Sequence, residues 1–273
     1  MISLKTLMIR NIARILVVAF CFLPNVLPLP RKKMVAFGGS GPYDHTRITR
    51  LALERFAERT GLAVRADCSQ MLIHGSVISD SERTAYIEEL HCDNNIMRCA
   101  KKLHELKHLA IHEPDPPRFY YHAGQALHLV QDFYSHTNWA ETFRFTYLLA
   151  PIESFKDLPP PEDLQTGVFP DPLQINYEAA FRCLLVPEDK WNRFIPGATH
   201  GCLNKDTNRS VRGMRAVQDG FGMTYHELAA EYAIRHSVDL LEHLRSHSIV
   251  MNTCLIPDKL SLGCNQSINE LLQ

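Results

Sequence analysis

The sequence shows almost no excess of charge of either sign. Its 273 residues include 29 Lys and Arg against 30 Asp and Glu, which gives a formal net charge of −1. Proteins that bind nucleic acid usually present a strongly basic surface, so this balance provides no strong nucleic-acid signal. The contents of hydrophobic residues, 45%, and of charged residues, 22%, are ordinary for a globular protein.

The chain also lacks any Cys-x-x-Cys pair, although it contains eight cysteines. A zinc site built from cysteines is therefore not expected. Cys21 lies in an apolar leader, and the other seven are an odd number, so at least one is free or pairs between chains. In an exported protein some of them would form disulfides, whose connectivity the sequence leaves open.

No hydrophobic run has the length of an ordinary membrane-spanning helix. Residues 15–29 are apolar but are interrupted by proline, and they follow three basic residues. A charged start before an apolar centre resembles an export signal. Three interpretations of residues 1–34 stay open: a signal peptide, a membrane anchor, and a start codon that truly lies at Met34. We favour a protein that is exported, to the periplasm or outside the cell, or anchored to a membrane through this segment.

The sequence contains no alternating strand pattern of useful length and no internal repeat. Apolar residues instead recur at helical spacing over most of the chain. We predict an all-α fold, with a single domain of about seven or eight helices over residues 35–250. Within it, residues 151–199 form a loop-rich insertion, and residues 251–273 form a C-terminal tail.

Several helices can be bounded from local signals. Asp44 is a good N-cap for the first helix, and Gly61 is a natural stop. Further helices are predicted over Ser69–Val77, residues 93–113, residues 118–136 with a continuation through NWAETFRFTYLLA, residues 177–185 and residues 224–247.

The segment HAGQALHLVQDFYSHTNWAE, residues 122–141, places His128, Asp132 and His136 at intervals of four in an apolar helix. Such residues lie along one slowly drifting stripe, so a histidine and an aspartate one turn apart can hold one metal ion. Buried imidazoles and carboxylates need partners. Two interpretations stay open here: a metal site, and a triad of core residues bonded to one another.

A second row of histidines, at positions 104, 108 and 112, has the same spacing on the preceding helix. Three lysines accompany it. We interpret this row as a solvated basic face rather than a metal site.

Other histidines and aspartates stand at helix starts and in polar loops. The candidates are His45, Asp80, His91, Asp93, His200 and His226. Neutral imidazoles and carboxylates are ligands that suit zinc. Convergence of such residues on the central helix would favour a metal site over a core triad.

The central motif ALHLVQDFYSHTNWAE resembles the signature of the Het-C family, named for fungal heterokaryon incompatibility, and of the related domain in some von Willebrand A-containing proteins. The motifs DHTRITRLAL, LHCDN and HGCLNKD and the last helix extend the resemblance, in order, over most of residues 36–247. That family is similar to the superfamily of zinc-dependent phospholipases C and single-strand-specific nucleases. The resemblance implies an all-α fold that holds two or three zinc ions.

Carried over by position, the resemblance implies a set of metal ligands: His45, Asp80, His91, His128, Asp132 and His136, with a final pair made by His226 and Glu231. The sequence departs from the phospholipases at three places. Fewer residues separate Asp132 from His136, as in Het-C proteins. The acid after His226 follows one position later, and no tryptophan lies near position 40.

The resemblance implies a zinc-dependent phosphodiester hydrolase, and we favour a phospholipid or other phosphodiester substrate. Asp132 and Asp80 are the predicted catalytic carboxylates. Lys205 is predicted to bind a phosphate, with a surface turn as the alternative, and Trp139 to contact substrate, with a core position as the alternative. Two other functions stay open: a non-catalytic, zinc-stabilised interaction domain, and a nuclease of the same superfamily.

Overall fold

The computed structural model describes residues 41–168 apart from 82, 145 and 147, residues 200–218 apart from 211, and residues 222–258. The helices of this part are α1 His45–Thr60, α2 Ala66–Val77, α3 Ile96–His112, α4 Pro116–His136, α5 Trp139–Thr142, α6 His200–Leu203, α7 Tyr225–His247 and α8 Ile249–Thr253. Short 3-10 helices lie at Ile78–Asp80, Glu88–Leu90 and Ile152–Lys156, and two strands are β1 Leu62–Val64 and β2 Leu255–Pro257. The predicted all-α class is confirmed.

The first helix begins and ends where its local signals predict. The backbone N–H of Arg47 donates to Asp44 Oδ1 at 2.6 Å, which satisfies one of the unpaired groups at the start of α1. Gly61 follows the last residue of α1 with a φ of 69°, a left-handed conformation that glycine adopts without a steric cost. The apolar stripe of α1 is buried at Ile48, Ala52 and Phe56.

Helix α4 is the centre of the domain and packs against α2, α3 and α7. Every residue from Ala123 to His136 is buried. Helix α2 comes very close because Gly75 faces Gly124, where a Cβ would lie 2.4 Å from the carbonyl carbon of Gly75. The 3-10 helix that ends at Asp80 follows α2 directly and contacts α4.

A short antiparallel sheet, absent from our predictions, pairs the segment that follows α1 with the last described residues. Leu62 pairs with Pro257 and Val64 with Leu255. A disulfide between Cys68 and Cys254 lies beside this sheet. Residues 251–257, at the start of the segment predicted as a tail, therefore pack on the helices.

The predicted continuation of helix after Asn138 is wrong beyond Thr142. Helix α5 ends there, and the hydroxyl of Thr146 donates to the carbonyl oxygen of Phe143 at 2.8 Å. Most of the residues that follow are aromatic or β-branched and have weak helix propensity. The threonine hydroxyl also bonds to nearby backbone groups in place of the helical hydrogen bonds.

The predicted leader at 1–34 lies outside the described residues. So do residues 169–199 of the predicted loop-rich insertion, which include the predicted helix at 177–185, and residues 259–273 of the predicted tail. Among the residues that are described, no helix combines the length and the apolar character needed to cross a membrane.

Candidate metal centre

Five of the predicted ligands converge beside α4. They come from the start of α1, from the 3-10 helix that ends at Asp80, from the residue after the 3-10 helix Glu88–Leu90, and from α4 itself. We call them the first cluster: His45, Asp80, His91, His128 and Asp132. Asp132 lies in the middle of this cluster. Its Oδ2 is 2.9 Å from both His91 Nδ1 and His128 Nε2, and its Oδ1 is 3.3 Å from His45 Nε2.

Asp80 lies on the side where the first cluster meets solvent. Its Oδ2 is 3.6 Å from His45 Nε2, and its Oδ1 is 3.9 Å from the inner nitrogens of His91 and His128. The side chain of Asp80 is 13% exposed, whereas those of His91, His128 and Asp132 are fully buried. Access to the first cluster among the described residues is therefore through Asp80.

The proton of His45 can be placed from its neighbours. His45 Nδ1 lies 2.7 Å from Gln131 Oε1, and the amide nitrogen of Gln131 donates to Thr49 Oγ1. Because the oxygen of Gln131 can only accept, His45 Nδ1 carries the hydrogen. When the ring is neutral, as it is in a metal ligand, the lone pair of Nε2 therefore faces Asp132 and Asp80.

His91 is held in the same way, with its two nitrogens exchanged. Its Nε2 lies 3.3 Å from the carbonyl oxygen of Thr84, so Nε2 is the donor. The lone pair of Nδ1 then faces Asp132 Oδ2. Histidines that ligate metals commonly donate their outer N–H to a carbonyl or carboxylate, and this contact fixes the tautomer.

When the rings are neutral, the inner nitrogens of His45 and His91 and the carboxylate oxygens are all acceptors, which repel one another unless protons or a cation lie between them. Burial lowers the pKa of His45, but the carboxylates of Asp132 and Asp80 outweigh burial and raise that pKa to about 9. Burial favours a neutral Asp132, yet the surrounding imidazoles, His128 first, hold its pKa well below the usual value. The cluster thus attracts positive charge strongly, as a site for a divalent cation does.

A second cluster lies one turn further along α4 and comprises Asp93, His136, His200 and Asp206. The first three of these residues offer ligand atoms that lie within 4.8 Å of one another. His136 Nδ1 donates to the carbonyl oxygen of His91 at 2.7 Å, and its Nε2 lies 3.1 Å from Asp206 Oδ1, where the neutral ring presents a lone pair. His200 Nδ1 lies 3.0 Å from Asp93 Oδ2.

Charge in the second cluster follows the same pattern. Burial lowers the pKa of His136, but the carboxylates of Asp206 and Asp132 outweigh it and raise the pKa well above the usual value. Burial raises the pKa of Asp206, and the His136 imidazole outweighs that effect and lowers it. Both clusters consist of imidazole nitrogens and carboxylate oxygens, a donor set that fits zinc.

His226 is buried at the start of α7, and its ring is oriented by a hydrogen bond to the backbone of the loop that carries Asp206. Its Nδ1 donates to the carbonyl oxygen of Lys205 at 2.7 Å, which leaves Nε2 as the acceptor nitrogen. Burial lowers the pKa of His226, so the ring is neutral.

Glu231, the predicted partner of His226, is not brought to either cluster. Both of its carboxylate oxygens accept hydrogen bonds from Arg55, at 2.7 and 2.8 Å, and its side chain is 37% exposed. The physical reason is helical geometry, since five residues along a helix correspond to a rotation of about 140° away from His226.

The prediction that Lys205 binds a phosphate is also corrected. Lys205 is fully buried, and its ammonium donates to the carbonyl oxygens of Thr137 and Leu203 and to Glu141 Oε1. Burial lowers its pKa to about 8. All three ammonium protons are thus used within the protein, and Lys205 holds the loop that carries Asp206.

Trp139, predicted to contact substrate, lies in the core. It is 4% exposed, stacks on Phe143 and donates its indole N–H to the carbonyl oxygen of Leu148 at 3.2 Å. The interpretation of histidines 104, 108 and 112 as a solvated face is confirmed, since all three are exposed.

Asp206 was missed as a site residue, and Asp93 and His200 were recognised only as candidates. The sequence feature that could have identified Asp206 is its position as the acidic residue that ends the motif HGCLNKD, which begins at His200. Gln131 and Thr84, which orient His45 and His91, carry no recognisable signal because their roles depend on contacts between distant segments.

Comparisons of the chain with protein-family models, with curated proteins and with solved structures give no match. The resemblance to the Het-C family therefore stays a prediction.

Proposed function

We propose that this chain is a zinc-dependent phosphodiester hydrolase that acts on phospholipid. One observation carries the proposal: histidines from separate segments donate their outer N–H groups to the protein and turn their inner nitrogens towards shared carboxylates. A divalent cation would take the place of the protons that the raised pKa values of His45 and His136 otherwise put on these inner nitrogens. His45, Asp80, His91, His128 and Asp132 would hold one or two zinc ions, and the second cluster would hold another.

Bound zinc supplies a Lewis acid for the phosphoryl oxygens and lowers the pKa of water towards neutrality. Two carboxylates of this chain then have separate roles. Asp80, on the open side of the first cluster, would accept the proton of the attacking water as the water oxygen bonds to phosphorus. The bond from phosphorus to the alcohol oxygen would break, and the alcohol would leave with the proton that Asp80 returns. Asp132 is fully buried between three imidazoles, so it organises the ligands and balances their charge.

The choice of phospholipid over nucleic acid rests on charge. A net charge of −1 gives no attraction to a polyanion, whereas it is no obstacle to binding a lipid head group at a membrane surface. Two disulfides among the described cysteines, Cys68–Cys254 and Cys92–Cys99, favour an oxidising compartment, in line with export or membrane anchoring.

A second candidate function, a zinc-stabilised interaction domain without activity, is favoured by the depth of the site. Most side chains of the two clusters are fully buried, and only Asp80 and His200 have an exposed fraction as large as 13%. Metal that organises a fold is commonly enclosed in this way, whereas a catalytic site keeps an open position.

The two functions are separated by turnover. Zinc-loaded protein is assayed on bis(p-nitrophenyl) phosphate, on phosphatidylcholine vesicles and on single-stranded DNA, before and after chelation. We expect chelator-sensitive hydrolysis of phosphatidylcholine, restored by zinc. Preference for the DNA would indicate a nuclease, and inactivity of fully loaded protein on all three substrates would leave the interaction domain.

A further inference from the structure

A disulfide lies between the two clusters. Cys92 is flanked by His91, a residue of the first cluster, and by Asp93, a residue of the second. Its sulfur is bonded to Cys99 in the first turns of α3. Both cysteines are completely buried.

The backbone on either side of Asp93 has an unfavourable conformation. Cys92 has a φ of 53° and Asn94 a φ of 62°, and among the described residues these are the two positions other than glycine with a positive φ. Asparagine tolerates this conformation, but for Cys92 it is costly and persists only where the surroundings hold it. The segment that supplies ligands to both clusters therefore needs external support.

Contacts to neighbouring segments supply part of that support. The N–H of Asn94 donates to the carbonyl oxygen of Gly167 at 2.8 Å, and that of Asp93 donates to Glu88 at 3.1 Å. Asn95 caps α3 through the N–H of Arg98. Each of these is a single hydrogen bond, which contributes modestly, whereas the Cys92–Cys99 link is covalent and fixes the strained residue directly to α3.

We propose that oxidation of Cys92 and Cys99 completes the metal centre, so that zinc binding depends on the redox state of this pair. The inference rests on the zinc binding invoked in the proposed function. The two thiols exchange with a small disulfide such as oxidised glutathione: one S–S bond forms in the protein, and two small thiols leave with the protons and electrons. Because both sulfurs are buried, the exchange precedes closure of the core around them.

The test compares two variants of the full chain, each lacking one disulfide. Cys92→Ala with Cys99→Ala removes the link within the ligand segment, and Cys68→Ala with Cys254→Ala is the matched control beside the sheet. Zinc affinity is measured by competition with a chromophoric chelator, circular dichroism follows helix content, and hydrogen exchange follows residues 88–95.

We expect the first variant to keep its helix content, to exchange faster at residues 88–95, and to bind zinc about 10–100-fold more weakly, the range for losing support of a metal ligand. The control should bind zinc with the affinity of the wild type. Equal affinity and equal exchange at residues 88–95 in both variants would overturn the proposal.

A second measurement does not require the first variant to fold. The control protein is refolded from denaturant with zinc and either a phosphine or oxidised glutathione, mass spectrometry confirms that Cys92 and Cys99 are thiols in the first sample and bonded in the second, and zinc release from each is followed with the chelator. We expect release at least about tenfold faster than without reductant. An unchanged rate would refute the coupling.

Neither experiment measures hydrolysis, so the two proposals fail separately. Redox-dependent zinc binding in a protein that cleaves no phosphodiester would refute the hydrolase and leave the role of the disulfide standing. Oxidised wild-type protein that binds no zinc would overturn both.

Discussion

Replacing Asp132 with asparagine distinguishes a metal ligand from a polar core residue. The side chain keeps its size and loses its negative charge, which lies within 2.9 Å of two imidazole nitrogens and 3.3 Å of a third. Residues that only support a ligand change metal affinity by about 10–100-fold, so loss of the central carboxylate should cost more than about 100-fold. That factor corresponds to about 2.7 kcal/mol.

The assay is thermal unfolding of wild type and Asp132→Asn, each in chelator and in buffered zinc. A domain of this size shifts its Tm by roughly 2–4 °C for each kcal/mol, so the rise in Tm caused by zinc should shrink by roughly 5–10 °C in the variant. Comparing each protein with itself removes the separate cost of leaving His45 without its carboxylate partner.

The control is His104→Gln, on the exposed row of α3, where the side chain is 54% accessible to solvent. It should show the same zinc-induced rise as the wild type. If zinc raises the Tm of Asp132→Asn as much as that of the wild type, with occupancy confirmed in both, Asp132 is not a ligand and the metal interpretation of the first cluster fails.

Three further predictions concern residues outside the first cluster. Burial lowers the pKa of His236 from 6.5 to about 4, so between these pH values the unfolded chain binds a proton that the folded chain does not. Stability should therefore fall by up to about 3 kcal/mol as pH falls through this window, and denaturant titrations of His236→Gln at pH 7 and pH 4 should lack that part of the slope. Lys205→Met should lower the free energy of unfolding, measured in urea, by about 3 kcal/mol, because a buried carboxylate loses its partner. Unchanged stability with a raised KM would instead support the prediction that Lys205 binds a phosphate. Asp206→Asn should lower zinc occupancy in the second cluster. Glu231→Gln, the same loss of a carboxylate at the surface, should leave metal content unchanged. The opposite result would show that Glu231 of α7 is the ligand of the third metal ion.

The parts of the fold that could be predicted from the sequence are those set by local chemistry. Asp44 and Gly61 bound α1 because a side-chain cap and a left-handed glycine act within one turn. The spacing of His128, Asp132 and His136 identified the stripe on α4, since helical periodicity alone aligns them. Glu231 could have been rejected by the same periodicity.

The remaining features depend on contacts between distant segments. The β1–β2 pairing joins residues far apart in the sequence, and each strand has three residues, too few to show an alternation. The burial of Lys205, which lies in a loop, depends on Glu141 of helix α5. Asp206 joins His136 only because the loop before α7 folds back onto the end of α4. No spacing rule in the sequence relates these pairs.

Metal analysis of the purified, full-length protein tests the central claim most directly. After exposure to zinc and removal of loosely bound ions, mass spectrometry under non-denaturing conditions counts the ions that each chain retains. Because the two clusters are built from separate ligands, we expect two or more zinc ions per chain. A folded, oxidised protein that retains none would show that these histidines and aspartates are a protonated polar core and that no metal-dependent chemistry takes place there.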